Sequence, residues 1–126
     1  MIDDRPAVAA DPHPYTGEFI WTPHNNHFGW AALLGAAPGS ANVSPYAAAA
    51  RATDLGGLPP AYIMTGSLDL FLEEDIEYAR RLLRAGVPTE LHVYPGGFHG
   101  FDIFPVSDAS AAARASRMAA LARALA

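Results

Sequence analysis

The fold is decided by residues 61–102, whose sequence is AYIMTGSLDLFLEEDIEYARRLLRAGVPTELHVYPGGFHGFD. The apolar run at its start, residues 61–66, follows a Pro-Pro pair and ends at a glycine. Because the run does not alternate between apolar and polar residues, it predicts a strand buried on both faces. Residues 90–94 predict a second strand, which the following Pro-Gly-Gly sequence ends. Between the two strands the apolar residues recur with the period of a helix.

The connecting helix is predicted over residues 72–85, and Gly86 ends it. Acidic residues occupy its first turns and arginines its last, as the helix dipole favours. The stripe that we expect to be buried consists of Leu72, Ile76, Ala79 and Leu83. A strand, a helix and a strand in this order predict two parallel strands with a right-handed connection, and therefore an α/β fold.

The residues with chemistry lie in the two loops that follow the predicted strands. Asp69 is in the first of these loops and His99 in the second. Since parallel strands end at the same edge of a sheet, the two side chains should meet where open α/β sheets collect catalytic groups. A carboxylate that orients an imidazole fixes its tautomer and stabilises the imidazolium formed during catalysis. We therefore expect Asp69 and His99 to form an acid–histidine pair.

Several other polar groups allow competing interpretations. Asp102 is close enough to compete as the partner of the histidine, but it shares the histidine's loop instead of following a neighbouring strand. The two histidines of residues 24–27 suggest a metal ligand pair, yet no third ligand stands beside them. The acidic pair at residues 3–4 is expected to form a solvated turn beside Arg5. His92 alternates with apolar neighbours and is expected to be a structural strand residue.

The segments that flank the strand–helix–strand unit are predicted to be an irregular first quarter and further helices. Asn25 or Asn26 is expected to cap a short helix that runs through Leu34. A single helical turn is predicted over residues 46–50, where a proline precedes it. The C-terminal helix is predicted over residues 107–126. Its expected buried stripe is Ala111, the stem of Arg114, Met118, Leu121 and Leu125.

Composition excludes several classes of function. The chain has 126 residues, a net charge of −5 and no cysteine, so it holds no disulfide, no thiolate metal site and no cysteine nucleophile. All eight basic residues are arginine, which excludes lysine chemistry. The acidic balance argues against nucleic acid or an anionic membrane as partner. No apolar run approaches the roughly 20 residues that span a bilayer, and the first residues lack the order of a signal peptide. We expect a cytoplasmic protein.

These motifs also carry a resemblance to a known family. Residues 69–75 (DLFLEED), residues 78–82 (YARRL) and residues 94–101 (YPGGFHGF) together resemble the C-terminal part of an α/β-hydrolase. The similarity is greatest to the hormone-sensitive-lipase-like esterase family, and it extends from Met1 into the C-terminal helix. One departure is Leu70, where the family commonly has proline. The resemblance implies a partial α/β-hydrolase fold, a βαβ unit with parallel strands and flanking helices.

The resemblance implies hydrolysis of carboxylic esters without a metal or an organic cofactor. In that family the aspartate matching Asp69 and the histidine matching His99 complete a Ser-His-Asp triad. A nucleophile elbow has the pattern Gly-x-Ser-x-Gly, and none of the six serines stands in that context: Ser40, Ser44, Ser67, Ser107, Ser110 and Ser116. The serine is therefore expected before Met1, and residues 1–126 are expected to be the C-terminal part of one α/β-hydrolase domain that is inactive alone.

Alternatives to the esterase remain at this point. The chain could be a truncated, non-catalytic association module, or it could belong to a serine peptidase of the oligopeptidase type. The short loop around Asp69 and the sequence of residues 99–101 favour the esterase, and an upstream Gly-x-Ser-x-Gly would separate enzyme from module. Because two strands leave a sheet edge open, we expect a homo-oligomer or association with a complementary chain. Three aromatic residues are expected to serve ordinary packing and not an acyl pocket: Trp21, Phe28 and Trp30.

Overall fold

Two parallel strands form the centre of the computed structural model, which describes residues 1–105 and 107–126. Strand β1 is Ala61–Gly66 and strand β2 is Thr89–Tyr94, and they pair in register over their whole length. Helix α2, Leu72–Arg84, connects them. The predicted βαβ unit and the α/β fold class are confirmed. Each observed boundary lies within one residue of the sequence-based prediction.

The two faces of this small sheet are covered by different helices. On one face Ile63 packs beside a core of Leu55, Leu82 and Val87, to which α2 contributes. On the other face the Tyr62 hydroxyl donates to Ser116 Oγ at 3.1 Å, on helix α3 (Asp108–Leu125). The predicted burial of β1 on both faces holds only at its carboxyl end, since residues 61–64 are half-buried. A single helix on each face covers too little of the sheet to bury residues 61–64 completely.

The buried side of α2 differs from the predicted stripe. Ala79 and Leu82 are buried as the helix packs on the sheet, but Ile76 is 39% exposed and Leu83 is 55% exposed. Glu74 is buried instead, because its carboxylate accepts the Ile2 N–H at 2.8 Å. The prediction was wrong at Ile76 and Leu83. The side of the helix that carries Glu74 packs against the N-terminal segment instead, through the hydrogen bond from Ile2.

Helix α3 also packs on a side that its apolar residues did not predict. Its buried residues are the small ones, Ser110 and Ala113, whereas Met118 is 58% exposed. Ser110 Oγ donates to Phe101 O at 2.9 Å, and Arg117 forms an ion pair with a buried carboxylate in the preceding loop. Of the expected stripe, Ala111, Leu121 and Leu125 are also exposed, because these polar contacts fix which side of the helix faces the fold.

Helix α1, Pro23–Leu34, begins earlier than predicted. Thr22 caps it by accepting the Asn25 N–H at 3.3 Å, so neither Asn25 nor Asn26 is the cap. Proline fits the first position of the helix, where its missing N–H costs nothing. The helical turn predicted over residues 46–50 is observed as a 3₁₀ turn at Ala49–Arg51.

A buried ion pair anchors the N-terminal segment. Asp4 is fully buried. Its carboxylate accepts hydrogen bonds from Arg51 Nε at 2.7 Å, from Arg51 Nη2 at 2.9 Å and from the Gly39 N–H at 2.6 Å. The Arg51 guanidinium holds the pKa of the Asp4 carboxyl below its usual range. Asp3 pairs with Arg5 as expected, but the prediction of a solvated turn is wrong, because Asp3 and Asp4 are both buried. Two adjacent aspartates suggest a surface turn, and only the fold brings Arg51 to one of them.

The stability of the fold should depend on pH through Glu74. Its side chain is 2% exposed, and burial raises its pKa from 4.5 to about 7. The folded state therefore holds this proton more tightly than the unfolded chain does. The contribution of Glu74 to the free energy of unfolding falls as the pH rises from about 4.5 to about 7.

Glu74→Gln should remove that dependence, because the amide oxygen still accepts the Ile2 N–H while the charge is gone. We expect its free energy of unfolding to exceed that of the unchanged chain by about 1–3 kcal/mol near pH 8 and to match it near pH 4. Denaturant unfolding across this range measures the difference. The control is Glu73→Gln, an exposed neighbour. An equal gain from both variants would contradict this account.

The open sheet and several exposed apolar side chains lead us to propose that the chain associates. The two-stranded sheet leaves an outer edge on each strand among the described residues. The exposed apolar side chains include Ile76, Leu83, Val93, Met118, Leu121 and Leu125. Sedimentation velocity should therefore detect dimers or larger species, or a complex with a complementary chain. A single monomer boundary together with a cooperative thermal transition would contradict this proposal.

Candidate active site

The loop after β1 holds Asp69 in a fixed position at the entry to α2. The Asp69 N–H donates to Gly66 O at 3.1 Å, and Asp69 O accepts the Leu72 N–H at 3.1 Å. Its side-chain Oδ1 accepts the Phe71 N–H at 3.0 Å, which forms an Asx turn. With a residue exposure of 8%, the carboxylate is held by the backbone on one side and leaves its remaining acceptor capacity for a partner.

The loop after β2 crosses the first loop at very short distance. The Leu68 N–H donates to Gly97 O at 2.8 Å, and Ser67 Oγ accepts the Gly96 N–H at 2.8 Å. A Cβ atom on Gly66 would lie 2.1 Å from Gly97 O, so only glycine fits at that crossing. The two loops are thereby bound to each other immediately before the residues that carry chemistry.

The crossing brings Asp69 and His99 together at the carboxyl edge of the sheet. His99 Nδ1 lies 3.2 Å from Asp69 Oδ2 and 3.3 Å from Oδ1. The Asp69 side chain is 11% exposed and that of His99 is 35% exposed. With Nδ1 turned to the carboxylate, Nε2 is the nitrogen that remains for proton transfer. The structure thus places both residues where the strand order predicted them.

Two aromatic rings, those of Phe71 and Trp21, lie beside the imidazole. The contact of Trp21 with His99 was not predicted from the sequence. The ring centroid of Phe71 is 5.2 Å from that of His99 in an edge-to-face arrangement, and that of Trp21 is 5.8 Å away. Trp21 was expected to serve only ordinary packing. No signal in the sequence connects it with His99, because the contact depends on how the irregular segment before α1 folds back. Phe28 is 71% exposed and Trp30 is fully buried, and the ring contacts of His99 in the described residues are with Phe71 and Trp21.

The competing candidates have other partners. Asp102 Oδ2 accepts Arg117 Nη1 at 2.5 Å, so Asp102 is engaged away from His99. His92 Nε2 lies 2.7 Å from Glu90 Oε1 and 3.3 Å from Ser116 Oγ. Because both contacts are made by the same nitrogen, this cluster cannot pass a proton through the ring from serine to acid. It is structural, as expected for His92.

Metal ligands and serine nucleophiles are the remaining groups that could act beside His99 among residues 1–105 and 107–126. The described residues contain no group of three or more His, Cys, Asp or Glu side chains that could hold a metal ion. Within the same residues no serine hydroxyl hydrogen-bonds to His99. Ser67 and Ser116, for example, contact Gly96 and His92. The site as described therefore offers an acid and a base.

A cleft lies elsewhere in this fold, away from Asp69 and His99. A cleft of about 490 Å³ opens beside the N-terminal segment and α2. Its charges are largely paired with each other or with backbone oxygens, since Arg5 binds Asp3 and Arg81 Nη1 donates to Ala50 O at 2.6 Å. It does not include Asp69 or His99 among its lining residues. The candidate active site is therefore the carboxyl edge of the sheet, where Asp69 contacts His99, and not this cleft.

A sequence model described as the α/β-hydrolase fold matches residues 3–103. The chain belongs to the α/β-hydrolase family. The match includes both strands, α2, Asp69 and His99, and the family predicted from residues 69–75 and 94–101 is confirmed.

The curated relatives of this α/β-hydrolase are esterases. It is 44% identical over 73 residues to carboxylesterase NlhH of Mycobacterium tuberculosis, an alignment that covers 57% of this chain and 23% of that protein. It is 44% identical over 50 residues to neutral cholesterol ester hydrolase 1 of Rattus norvegicus, which covers 40% of this chain and 12% of that protein. The hydrolase class and the esterase relationship predicted from the resemblance are confirmed.

Solved structures show the same relationship over nearly the whole chain. The bacterial heroin esterase superposes with a TM-score of 0.86 at 38% identity, over 98% of this chain and 39% of that one. Esterase LipW of Mycobacterium marinum superposes with a TM-score of 0.79 at 34% identity, over 99% of this chain and 38% of that one. The chain thus spans about two fifths of the length of these esterases.

Asp69→Asn should change the tautomer of His99. The carboxylate accepts a hydrogen bond from Nδ1–H, whereas an amide can turn its NH₂ group toward that nitrogen and favour the Nε2–H form. Long-range ¹H–¹⁵N correlation spectra of the neutral imidazole should show Nδ1–H in the unchanged chain and a mixture or Nε2–H in the variant. The matched control is Asp102→Asn, which should leave the spectrum of His99 unchanged. The reverse pattern would make Asp102 the partner of His99.

Proposed function

We propose that the protein is a carboxylic ester hydrolase of the Ser-His-Asp type, in which Asp69 is the acid and His99 the base. The observation that carries this proposal is the contact of 3.2 Å between His99 Nδ1 and Asp69 Oδ2 at the carboxyl edge of a parallel βαβ unit. Esterases among the relatives support the reaction class. The shallow burial of His99 supports its role, since the imidazole can reach a substrate from the open side of the loop.

The reaction would proceed in two halves. His99 Nε2 takes the proton of a serine hydroxyl as Oγ attacks the ester carbonyl carbon, and the resulting imidazolium is stabilised by the Asp69 carboxylate. The same nitrogen returns the proton to the leaving alkoxide, which leaves an acyl-serine. Water then attacks the acyl group with His99 again as base, and the serine leaves with the proton. No step in this sequence requires a metal or an organic cofactor.

The nucleophile belongs, in this proposal, to a segment upstream of residues 1–126. The chain would be the C-terminal part of one α/β-hydrolase domain, and its open sheet edge and exposed apolar residues would contact that segment. A chain spanning 39% of the heroin esterase supports this arrangement. The substrates would be esters with small or medium acyl chains. None of the helices in the described parts of the chain is long and apolar enough to cross a membrane, and a cytoplasmic location stays a prediction.

Activity measurements separate the enzyme from a non-catalytic module. The chain alone should hydrolyse activated esters no faster than free imidazole does, because acid and base have no nucleophile to activate. Joined or complemented with an upstream segment that carries Gly-x-Ser-x-Gly, it should hydrolyse p-nitrophenyl esters with saturation kinetics. In that assembly His99→Ala and Asp69→Asn should each lower kcat by about 10³–10⁴-fold.

The control for this experiment is His92→Ala, since His92 belongs to the structural cluster with Glu90. It should keep kcat within about threefold of the unchanged assembly, a change of under 1 kcal/mol in barrier. Saturable ester hydrolysis by the chain alone, dependent on His99, would show that the nucleophile lies within residues 1–126. A complemented protein without ester hydrolysis would favour the association module instead.

A further inference from the structure

A strained turn lies against the loop that carries His99. Ile20 has a φ of 65°, the one positive value at a non-glycine residue in residues 1–105 and 107–126. The Trp21 N–H donates to Phe19 O at 2.8 Å and closes a three-residue turn around it. A β-branched residue in this region of φ costs about 1–3 kcal/mol, so the surrounding contacts must hold it there.

The residues on either side of Ile20 contact consecutive residues of the histidine loop. The Phe19 ring lies 6.0 Å from that of Phe98, and the Trp21 ring lies 5.8 Å from that of His99. Because Ile20 itself is 59% exposed, the turn is held through its two aromatic neighbours and not through its own side chain. The strained conformation therefore serves to place both rings on residues 98–99.

The indole of Trp21 is held at a second point. Asn26 on α1 is 2% exposed, and its Oδ1 lies 3.5 Å from Trp21 Nε1, a long hydrogen bond. The Asn26 N–H donates to Thr22 O at 2.9 Å, which fixes this part of the helix relative to the turn. Asn26, one of the two asparagines that were expected to cap the helix, thus contacts the indole instead.

The imidazole needs such support because its contact with Asp69 does not set its tilt. His99 Nδ1 is nearly equidistant from the two carboxylate oxygens, at 3.2 and 3.3 Å, so neither oxygen alone defines the direction of the contact. Phe71 presents its edge to the imidazole at an interplanar angle of 84°, and the Trp21 ring lies at 42°. The Phe71 and Trp21 rings, themselves 6.5 Å apart, bound the imidazole from two directions.

We propose that Trp21 is a positioning residue for His99: held by the turn at Ile20 and by Asn26, it keeps the imidazole in the orientation in which Nδ1 faces Asp69 and Nε2 is open to the reacting serine. This inference rests on the proposed function and names a further residue on which that function depends. Without the indole, the imidazole samples tilted orientations in which Nε2 is misaligned. The loss should therefore fall on kcat and leave KM little changed.

The first test needs no catalysis. In the unchanged 126-residue chain, the carbon-bound ring protons of His99 should give nuclear Overhauser effects to the indole protons of Trp21 and show ring-current shifts that those of the exposed His24 and His27 lack. Trp21→Leu should reduce these shifts and broaden or average the Nδ1–H signal. Trp21→Phe, which keeps an aromatic ring, should retain the Nδ1–H tautomer. The matched control is Phe28→Leu, an exposed aromatic on α1, which should change nothing at His99.

The second test uses the chain complemented with the upstream segment. Trp21→Leu should lower kcat by about 10- to 100-fold with KM within about twofold, and Trp21→Phe should recover most of the loss. His99 spectra and kinetics that are unchanged in Trp21→Leu would overturn the inference while leaving the esterase proposal intact. If Trp21→Leu does not fold, the absence of contacts between Trp21 and His99 in the unchanged chain would overturn it. If the assembly with unchanged Trp21 shows no ester hydrolysis that depends on His99, the proposed function itself would be overturned.

Discussion

The site depends on one close approach of two backbones. Gly66 ends β1 and Gly97 follows β2, and a Cβ atom on Gly66 would lie 2.1 Å from Gly97 O. Since the parallel register places Gly66 opposite Tyr94, both loops leave the sheet at the same level. The Leu68 N–H then bonds Gly97 O at 2.8 Å. Any side chain at Gly66 would force the loops apart and separate Asp69 from His99, although neither residue would itself be altered.

The polar contacts of the N-terminal segment have a related role. Asp4 is bound by Arg51 and by the Gly39 N–H, which connects the start of the chain with the region before β1. Breaking a buried pair of this kind by removing one partner typically costs about 3–5 kcal/mol, because the remaining charge is left buried. The segment that follows carries the Ile20 turn and Trp21 to the histidine loop. The Asp4 pair thus anchors the start of the segment whose later residues include Trp21, which packs beside His99.

The sequence was sufficient for the βαβ unit and for the meeting of Asp69 with His99. Proline and glycine mark the strand ends, and parallel strands deliver their following loops to one edge whatever the remaining chain does. The buried sides of α2 and α3 were not predictable in the same way. Periodicity shows which residues are apolar, but Glu74 and Ser110 are buried because polar partners from distant segments reach them. Trp21 lies in an irregular segment, where no periodicity indicates its partner.

In our proposal, His99 and Asp69 form the acid–base half of a Ser-His-Asp hydrolase. Proton NMR of the complemented enzyme after reaction with a phosphonate ester tests it most directly, because the covalent adduct holds the imidazole in its protonated form. We expect a low-field exchangeable proton that is coupled to Nδ1 of His99 and is lost in Asp69→Asn. A phosphonylated enzyme whose low-field proton belongs to another histidine, or which retains it in Asp69→Asn, would contradict the claim.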